Sequence, residues 1–577
     1  HWISHPLVQE EKINARLDAI ECISQEVFNI FFESLNNWLN DSQNKNLLRT
    51  LNRIKYGKTS KREIYYYLKN MNSLRQLFKK HDKYLTEQVY DKSCGRVALK
   101  SELLTDLLTF CDESCSHLHV EKYLNMINVE AVFHKSNEPD DEHFNFFNLN
   151  NYDNSQEILL KQRDVEGVKH DLQDELKNIR KVLHKPMCEF KDEVDYLIEV
   201  RNSLVDKIVP PDWVKVSSTK MVSRFKTPNV AILLKKLQLE KDLLHQVTEN
   251  EYFKFLQRIN DEYDQVFAIL DNLAVYDCIL SLSSASYSND NYCRPKFTSS
   301  KNQHINIVDG RNPIIETMML SGDSYVCNDV HMGVGNNQIM VVTGPNMGGK
   351  SSYIKQVALL VIMAQIGCFV PCSFMEISIF KSIFVRMGAQ DSLIQGKSTF
   401  QMEILDILQI LNNFGRDSLL LLDEVGRGTG TTDGMSISYS ILKYFIDLRD
   451  DCPLVLFITH FHSIIKKFHN DMLGIFHMSF YQDQDSDDTD ITFLYKLTKG
   501  YMNKSFGMNV AKLASIDGNI IERARSISES LQLENESNKD IYTCQKIMHI
   551  LFSMANAKNS ESWDFGVSEL QQYISDM

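Results

Sequence analysis

The chain has 577 residues, 43% of them hydrophobic, and a formal net charge of -14 at pH 7. This length is too great for one hydrophobic core, and the low counts of 11 Pro and 23 Gly favour long helices over a many-turned β architecture. A membrane span is not expected, because the longest apolar stretch, residues 357–370, is too short and contains Gln365.

The first part of the chain has the hydrophobic spacing of helices. Residues 1 to about 165 are predicted to be mainly helical, with an acidic, Asn-rich loop region at 136–156. Residues 165–185 continue as a helix that carries many charges. Long helices therefore dominate the N-terminal portion of the chain.

Two extended segments follow, at residues 190–200 and 213–228, and the second is rich in Val, Ser and Thr. An amphipathic helical pattern then returns from Asn229 to about Ser284. Because two long helical stretches bracket a small strand-containing insert, we expect an elongated helical arm with a different module at its tip.

From about Ile305, short apolar runs alternate with helical segments, which is typical of an α/β sheet with crossover helices. After Ile520 the chain is predicted to be helical and charged to its end. The second half of the chain therefore belongs to a different fold class from the first half.

The strongest motif is GPNMGGKS, Gly344 to Ser351, which matches G-x-x-x-x-G-K-[ST]. It follows a strand-like run, Ile339 to Thr343, and precedes a predicted helix, Ser352 to Ile366. Glycines let backbone N–H groups turn toward phosphate oxygens, and the helix N-terminus adds a positive dipole. Lys350 is expected to reach the β- and γ-phosphates of ATP, and Ser351 to bind Mg²⁺. The predicted ATP-binding residues of this loop are Gly344, Pro345, Asn346, Met347, Gly348, Gly349, Lys350 and Ser351.

Two further strand ends are expected to face the same ligand. The run SLLLLLDE predicts a buried strand that delivers Asp423 to Mg²⁺ and Glu424 to the attacking water. The run LVLFITHF predicts a third strand, which ends at His460, a residue that can contact the γ-phosphate. Glu424 and His460 are therefore the predicted catalytic residues of an ABC-type ATPase.

Between these strands, GKSTFQMEI at 396–404 places Gly and Ser at a helix start, where they can cap a phosphate or simply cap the helix. Upstream, Lys215, Lys220, Arg224 and Lys226 form a basic run without an intervening acid, laced with Ser and Thr. That composition suits contact with DNA phosphates without base readout. The acidic net charge does not forbid it, since salt screens charges over only ~8 Å.

Taken together, these motifs resemble the MutS mismatch-recognition family. The resemblance runs through TGPNMGGKSSYIKQ, FVRMGAQDSLIQGKSTFQMEI, LLDEVGRGTGTTDG, FITHF and SFGMNVAKLA, in the family's order and spacing. Upstream, HWISHPL, INARLDAIE, LNRIKYGK and DWVKVSSTKMVSRF look like the family's lever and clamp regions, so the resemblance covers the whole chain. The sequence of these motifs is most similar to that of the eukaryotic branch of the family that recognises insertion–deletion loops as one half of the MutS-beta heterodimer.

The resemblance implies a multidomain α and α/β fold, in which helical lever arms and a small strand-containing clamp precede an ABC-type P-loop ATPase domain and a C-terminal helical dimerisation segment. The chain looks like a fragment without the mismatch-reading and connector domains. The implied domains are lever residues 1–164, clamp residues 165–228, returning lever residues 229–299, ATPase residues 300–525 and dimerisation residues 526–577.

Further site residues follow only from the resemblance. It implies that Tyr325 and Val326 flank the adenine, and that Ser398 contacts the γ-phosphate bound by the partner subunit. The chain departs from the family at Asn312, where His is usual, and at Gly430 and Thr432, where Ser and an aromatic residue or His are more usual. The last two positions concern the coupling between the two nucleotide sites.

The function implied by the resemblance is that of an ATP-dependent DNA mismatch-repair subunit. Such a subunit binds double-stranded DNA with mismatches or loops, pairs with a second MutS homologue, acts with a MutL-type downstream factor, and works in the nucleus. One alternative is a meiotic MutS homologue that clamps recombination intermediates. Another is a generic ABC-type ATPase of transport or chromosome structure, against which the lack of membrane spans and of a long heptad coiled coil weighs.

Overall fold

The computed structural model describes residues 1–25, 29–42, 44–86, 99–133, 146–191, 196–288, 291–298, 303–319, 325–334, 336–388, 399–465, 467–468, 470–482, 491–500 and 507–555. The chain is of mixed helical and α/β construction. It divides into two compact units, one of residues Asp18–Ser284 and the other of His1–Leu17 with Ala285–Met577.

Helices make up most of the first part of the chain, as predicted. Their bounds are α1 Glu10–Gln25, α2 Ile30–Asn40, α3 Leu47–Lys55, α4 Lys61–Lys80, α5 Asp82–Tyr84, α6 Glu102–His117, α7 Val120–Asn125, α8 Val129–Phe133, α9 Ser155–Val182, α10 Val205–Ile208, α11 Pro228–Asn260 and α12 Tyr263–Ser286. Short 3-10 turns lie at Asn44–Asn46 and Asn202–Leu204. Local signals set several starts: Ser60 forms a capping box with Glu63 ahead of α4, and Thr227 caps α11 through the Val230 N–H.

In the unit of residues Asp18–Ser284, the two longest described helices, α9 and α11, run antiparallel to each other. Lys161 of α9 forms an ion pair with Glu240 of α11 (3.1 Å), and Glu175 accepts a hydrogen bond from Asn229 near the other end of the pair (3.1 Å). Apolar side chains such as Leu172 are buried along the pair. These helices bracket the small strand-containing module, as the sequence predicted.

That module is a three-stranded antiparallel sheet in the order β1-β3-β2. Its strands are β1 Ile198–Arg201, β2 Val214–Ser218 and β3 Val222–Lys226. The predicted extended segment at 213–228 is therefore confirmed as a hairpin. Of the predicted strand at 190–200, residues from Ile198 onward form β1, Phe190 makes only an isolated bridge to Ile198, and residues 192–195 lie outside the described residues.

Among the described residues, one helix, Tyr263–Ser286, has the length and apolar composition that a membrane crossing needs. A core helix of a globular unit has the same composition. This helix contacts its own unit, because the Tyr276 hydroxyl donates to Asn36 Oδ1 (2.9 Å) and the Ser283 hydroxyl donates to the Ile20 carbonyl (3.2 Å). Its composition is thus weak evidence for a membrane span.

The second unit is built on two sheets. The six-stranded sheet has the order β13-β12-β7-β11-β10-β9, and the four-stranded sheet has the order β4-β8-β5-β6. The strands are β4 Lys296–Phe297, β5 His304–Gly310, β6 Asn328–Gly333, β7 Ile339–Thr343, β8 Phe374–Ile377, β9 Ser382–Arg386, β10 Ser418–Asp423, β11 Leu454–Ile458, β12 Leu473–Gln482 and β13 Ile491–Lys499. The remaining helices are α13 Pro313–Met318, α14 Lys350–Ile366, α15 Thr399–Asn413, α16 Thr431–Asp447, α17 His462–Ile465, α18 Gly507–Leu513 and α19 Gly518–Ala555, with a 3-10 turn at Arg449–Asp451.

The central strands of the larger sheet are buried on both faces. Met340 and Val342 of β7 belong to a core that includes α14 and the four-stranded sheet, whereas Ile339 and Val341 belong to a second core on the other face. Strands covered on both sides need apolar residues at every position, which explains the continuous apolar runs. The predicted α/β architecture of this region is therefore confirmed.

Parallel pairing aligns the carboxyl ends of four strands. Val342 of β7 and Asp423 of β10 are both register partners of Ile458 at the end of β11, and Leu422 is paired with Arg386 at the end of β9. Loops that follow these ends converge on one edge of the sheet, where ligands bind in open parallel sheets. The predicted helix at 352–366 begins two residues earlier than expected, at Lys350.

The bounds of the five domains remain a prediction. The boundary between residues 164 and 165 falls inside α9, and the boundary between 525 and 526 falls inside α19. The boundary between 228 and 229 falls one residue after the start of α11 at Pro228.

Candidate functional site

The phosphate loop of the GPNMGGKS motif connects the end of β7 to the first turn of α14. Three of its residues have positive φ: Gly344 at 133°, Met347 at 69° and Gly349 at 92°. An added Cβ at Gly349 would lie 3.2 Å from the ring of Tyr495, so glycine suits both the backbone and the space there. The loop ends on a helix N-terminus, whose unpaired N–H groups are suited to anions.

Lys350 is 6% exposed, and its ammonium is folded back onto the loop. It donates to the carbonyls of Gly344 (2.8 Å) and Pro345 (2.9 Å). Burial lowers the pKa of Lys350, while the neighbouring carboxylates Glu424 and Asp423 act in the opposite direction. A buried cation whose described hydrogen bonds go to neutral carbonyls gains a stronger acceptor when an anion is placed beside it.

Ser351 and Asp423 meet where α14 starts and β10 ends. The Ser351 hydroxyl donates to Asp423 Oδ2 (2.7 Å). The other oxygen, Oδ1, is buried and accepts no hydrogen bond from any residue that the structure describes. Burial raises the pKa of Asp423, the hydrogen bond from Ser351 lowers it, and Glu424 raises it further. An unsatisfied buried carboxylate oxygen next to a serine hydroxyl fits the oxygen ligands that Mg²⁺ prefers.

Glu424 follows Asp423 in a left-handed conformation, with φ at 52°, and its N–H donates to the carbonyl of Ile458 (3.0 Å). Its carboxylate accepts a hydrogen bond at Oε2 from the guanidinium of Arg427. A left-handed non-glycine residue at a strand end is a strained position of the kind that collects at functional sites.

One cleft of about 900 Å³ joins these groups to a more apolar end. The predicted residues that line it are Tyr325, Val326, Asn346, Met347, Gly349, Lys350, Ser351 and Glu424. The Tyr325 hydroxyl donates to Gln356 Oε1 (2.9 Å), which fixes the ring on the first turns of α14. A volume of this size with one polar and one apolar end suits a nucleotide.

A second cavity of about 520 Å³ shares Ser351, Glu424 and Arg427 with the cleft and adds Asp423, Arg386 and Glu403. His460 lines neither cavity, although Glu424 and Lys350 are near enough to influence its titration. Desolvation lowers the pKa of His460, so its imidazole favours the neutral form.

Some lining residues were not found from the sequence. They are mainly apolar residues of the cleft: Ile315, Met319, Met478 and Tyr495. Tyr495 comes from β13, far along the chain from the phosphate loop, and belongs to no motif. Only the pairing of β13 with β12, and of β12 with β7, brings it there.

The departures from the family pattern have local structural roles. Asn312 caps α13 by accepting from the N–H groups of Ile314 (3.1 Å) and Ile315 (3.3 Å), and its amide donates to the carbonyl of Ser352 (3.3 Å). It therefore ties one wall of the cleft to α14. Gly430 is the N-cap of α16 without any side-chain cap, and the exposed Thr432 lies in that helix's first turn.

Ser398 lies outside the described residues, so its predicted role stays a prediction. Its neighbour helix α15 is described from Thr399 onward.

The basic run predicted to contact DNA does not form a single face. Lys215 is the register partner of Phe225, which is buried, whereas Lys226 is the partner of Val214 on the opposite face. Arg224 shares the face of Lys226 and forms an ion pair with Glu199 (2.9 Å). The exposed Lys220 lies in the turn between the strands. One face of the hairpin thus presents Arg224 and Lys226, whereas Lys215 lies on the opposite face.

Comparison with known proteins agrees with this architecture. The family model for MutS domain III matches residues 1–283, and the one for MutS domain V matches residues 340–532. The chain is 47% identical over 581 aligned residues to the DNA mismatch repair protein MSH3 of Eremothecium gossypii, covering 100% of this chain and 55% of that protein. It is 50% identical over 555 residues to the MSH3 protein of Saccharomyces cerevisiae, covering 96% and 53%. For the MSH3 protein of Kluyveromyces lactis the identity is 46% over 582 residues, covering 100% and 54%.

The chain spans about half the length of the curated relatives that it matches. Within that span, two MutS domain models match in sequence order, and the similarity to the MSH3 proteins extends across nearly every residue. On this evidence the chain belongs to the MutS family.

Proposed function

We propose that this chain binds ATP with Mg²⁺ in an ABC-type ATPase domain, hydrolyses it to ADP and phosphate, and couples this to DNA binding in mismatch repair. The observation that carries the proposal is the convergence of Lys350, the Ser351–Asp423 pair and Glu424 at one end of the cleft. A cation, a metal-ligand pair and a carboxylate are the parts that phosphoryl transfer to water requires.

Each of these side chains has a distinct role. Lys350 exchanges its two loop carbonyls for phosphate oxygens, which are stronger acceptors because they are charged. Ser351 and Asp423 Oδ1 would hold Mg²⁺, which would supply positive charge against the phosphates. Glu424 orients or deprotonates the attacking water, which requires its pairing with Arg427 to open. His460 contacts the γ-phosphate as a neutral donor.

The base of the nucleotide occupies the apolar end of the cleft. Tyr325 and Val326 form one wall and Tyr495 from β13 forms another. Aromatic rings at such a site bind a planar base by stacking, without reading its hydrogen-bonding edge. Asn346, in the phosphate loop, lines the cleft together with Lys350 and helps to frame the phosphates.

DNA is proposed to contact the β2–β3 hairpin through its phosphates, with Arg224 and Lys226 on one face and Lys220 in the turn between the strands. The relatives reported above are named DNA mismatch repair proteins, which supports repair and gives no support to the meiotic alternative. By the same similarity, we expect a second MutS homologue as heterodimer partner, mismatched or looped DNA as the ligand, and a MutL-type factor downstream. We also place the protein in the nucleus.

The nucleotide site is tested by replacing Lys350 with alanine and titrating a fluorescent ATP analogue, with and without Mg²⁺. Loss of a charged contact to phosphate is expected to weaken binding by at least about tenfold, from ~1.5–3 kcal/mol for a hydrogen bond to a charged group. The matched control is Lys443→Ala, because Lys443 is an exposed lysine of α16 that pairs with Asp447 and does not line the cleft.

A thermal unfolding curve should show that the Lys350→Ala protein still folds, since the loop carbonyls it leaves can be solvated. Equal affinity of the Lys350→Ala protein and the wild type would remove the site assignment. A loss of affinity shared by Lys443→Ala would instead indicate a general effect of positive charge.

A further inference from the structure

Glu403 is a buried carboxylate that the roles assigned above do not use. It lies in the second turn of α15 and is only 4% exposed. Its Oε1 accepts a hydrogen bond from the N–H of Gly426 (2.5 Å), two residues beyond Glu424. An added Cβ at Gly428 would lie 3.3 Å from its Oε2. One side chain of α15 therefore contacts the loop that carries the candidate catalytic carboxylate.

That loop is confined on its other side by α16. Gly426 has φ at 88°, and an added Cβ there would lie 2.4 Å from the carbonyl oxygen of Gly434. The hydroxyl of Ser438 donates to the carbonyl of Val425. Because α16 packs directly against the loop backbone, the loop has little room to move away from Glu403.

The charge of Glu403 is balanced from the end of β9. Arg386 Nη2 lies 3.8 Å from Glu403 Oε2, and its Nε lies 3.4 Å from Asp406 Oδ2 on the next turn of α15. A buried carboxylate is tolerated where a cation and a backbone donor share its charge. Asp406 serves as a comparison. It also pairs with Arg386, but the described loop N–H that binds Glu403 does not donate to it.

We propose that Glu403 is a positioning residue that holds the loop of Val425, Gly426 and Gly428 and thereby sets the carboxylate of Glu424 for hydrolysis. This inference rests on the proposed ATPase function. Through the Gly426 N–H, a displacement of α15 moves the loop, and Glu424 is the first residue of that loop. The position of α15 is therefore coupled to hydrolysis more than to nucleotide affinity.

The residues that line the cleft explain why Glu403 should affect hydrolysis and not nucleotide affinity. Glu403 does not line the nucleotide cleft; it lines the second cavity, together with Asp423 and Glu424. Its removal therefore leaves the contacts of Lys350 and Tyr325 in place. The effect belongs to the rate of the chemical step, because an interaction that matters only in the transition state changes kcat without changing binding.

The test compares Glu403→Ala, Glu403→Gln and Asp406→Asn in the full chain. Hydrogen exchange measures protection of the Gly426 amide, equilibrium titration measures ATP affinity, and single-turnover hydrolysis with protein in excess measures the chemical step. For Glu403→Ala we expect loss of Gly426 protection and hydrolysis slower by at least about tenfold, with ATP affinity within about twofold of wild type. Glu403→Gln keeps an acceptor for the amide and should recover most of both properties, and Asp406→Asn should resemble wild type.

The proposal is overturned if Glu403→Ala hydrolyses ATP at the wild-type rate or retains full Gly426 protection. It is also overturned if Asp406→Asn slows hydrolysis as much. The cause would then be the loss of a carboxylate beside Arg386, and not the loss of the hydrogen bond to Gly426. Should Glu403→Ala fail to fold, hydrolysis by Glu403→Gln below one tenth of the wild-type rate would overturn it equally. If the wild type neither binds nor hydrolyses ATP, the proposed function itself fails, and this coupling falls with it.

Discussion

Replacing Lys220, Arg224 and Lys226 together with alanine tests whether the β2–β3 hairpin holds DNA, and the geometry of the hairpin sets the size of the expected effect. Each phosphate that a basic side chain neutralises on duplex DNA adds about 0.9 to the slope of log affinity against log salt. From the sequence alone, four basic residues in one run predict a change of about three to four units on removal.

The structure lowers the change in slope that is expected on removing these residues. Lys215 faces the side of Phe225, away from Lys226, so it does not contribute to the same DNA contact. Arg224 is held by Glu199 at 2.9 Å, so a phosphate must compete with that carboxylate for its guanidinium. Three basic residues, Lys220, Arg224 and Lys226, remain, which gives a change of at most about three units, and less because Glu199 competes for Arg224.

The assay is a salt titration of the affinity for a perfect duplex and for a duplex with an extrahelical loop. The triple variant should flatten both slopes equally, because phosphate contacts carry no sequence or structure information. Lys215→Ala is the matched control and should leave the slopes unchanged. Nucleotide affinity should also be unchanged, since the hairpin and the phosphate loop belong to different units.

An unchanged slope in the triple variant would mean that DNA is held elsewhere and that the hairpin charges are simply solvated. A larger effect from Lys215→Ala than from the triple variant would place DNA on the opposite face of the sheet. A loss confined to the looped duplex would show that the hairpin recognises DNA structure, against the phosphate-contact argument.

Three other changes test the nucleotide site. Glu424→Ala should bind ATP normally but hydrolyse it at least about a hundredfold more slowly in a single-turnover assay; a wild-type rate would mean that another residue activates water. Ser398→Ala, in a heterodimer with one hydrolysis-dead site at a time, should impair the partner's site more than its own, and damage confined to its own site would contradict the trans arrangement. Gly426→Ala should lower the free energy of unfolding by about 2 kcal/mol or more, because its Cβ would meet the carbonyl of Gly434; Gly430→Ser, with nothing within 4 Å, is the control and should be neutral or slightly stabilising in thermal unfolding.

The parts of the fold that the sequence predicts are those fixed by local spacing. The strand at Ile339–Thr343 has the predicted bounds, and β10 and β11 follow the predicted apolar runs. Their inner residues form continuous apolar runs because the sheet is covered on both faces, and that pattern is visible without a structure. The phosphate loop is predictable for a related reason, since its glycines meet a backbone requirement within the motif itself.

The parts that could not be predicted depend on pairing between distant segments. Tyr495 reaches the cleft only through the register of β13 on β12, which no local pattern specifies. The face of the sheet on which Lys215 lies also depends on strand register, because the hairpin contains an irregularity between Lys215 and Ser217. Since a shift of one residue exchanges the two faces of a strand, a run of charges in a sequence does not reveal which of them act together.

The same distinction separates the identity of the site residues from their geometry. Met347 and Glu424 both hold positive φ values, 69° and 52°, which cost of order 1–3 kcal/mol each in a non-glycine residue. Such conformations persist only where the surroundings dictate them, and for Glu424 the surroundings are the Ile458 carbonyl and the packed loop at Gly426. A sequence motif identifies these residues, but the buried strands and helices around them determine where their side chains lie. Stability of the sheet and precision of the site are therefore linked, and substitutions in the supporting contacts should alter hydrolysis before they alter nucleotide binding.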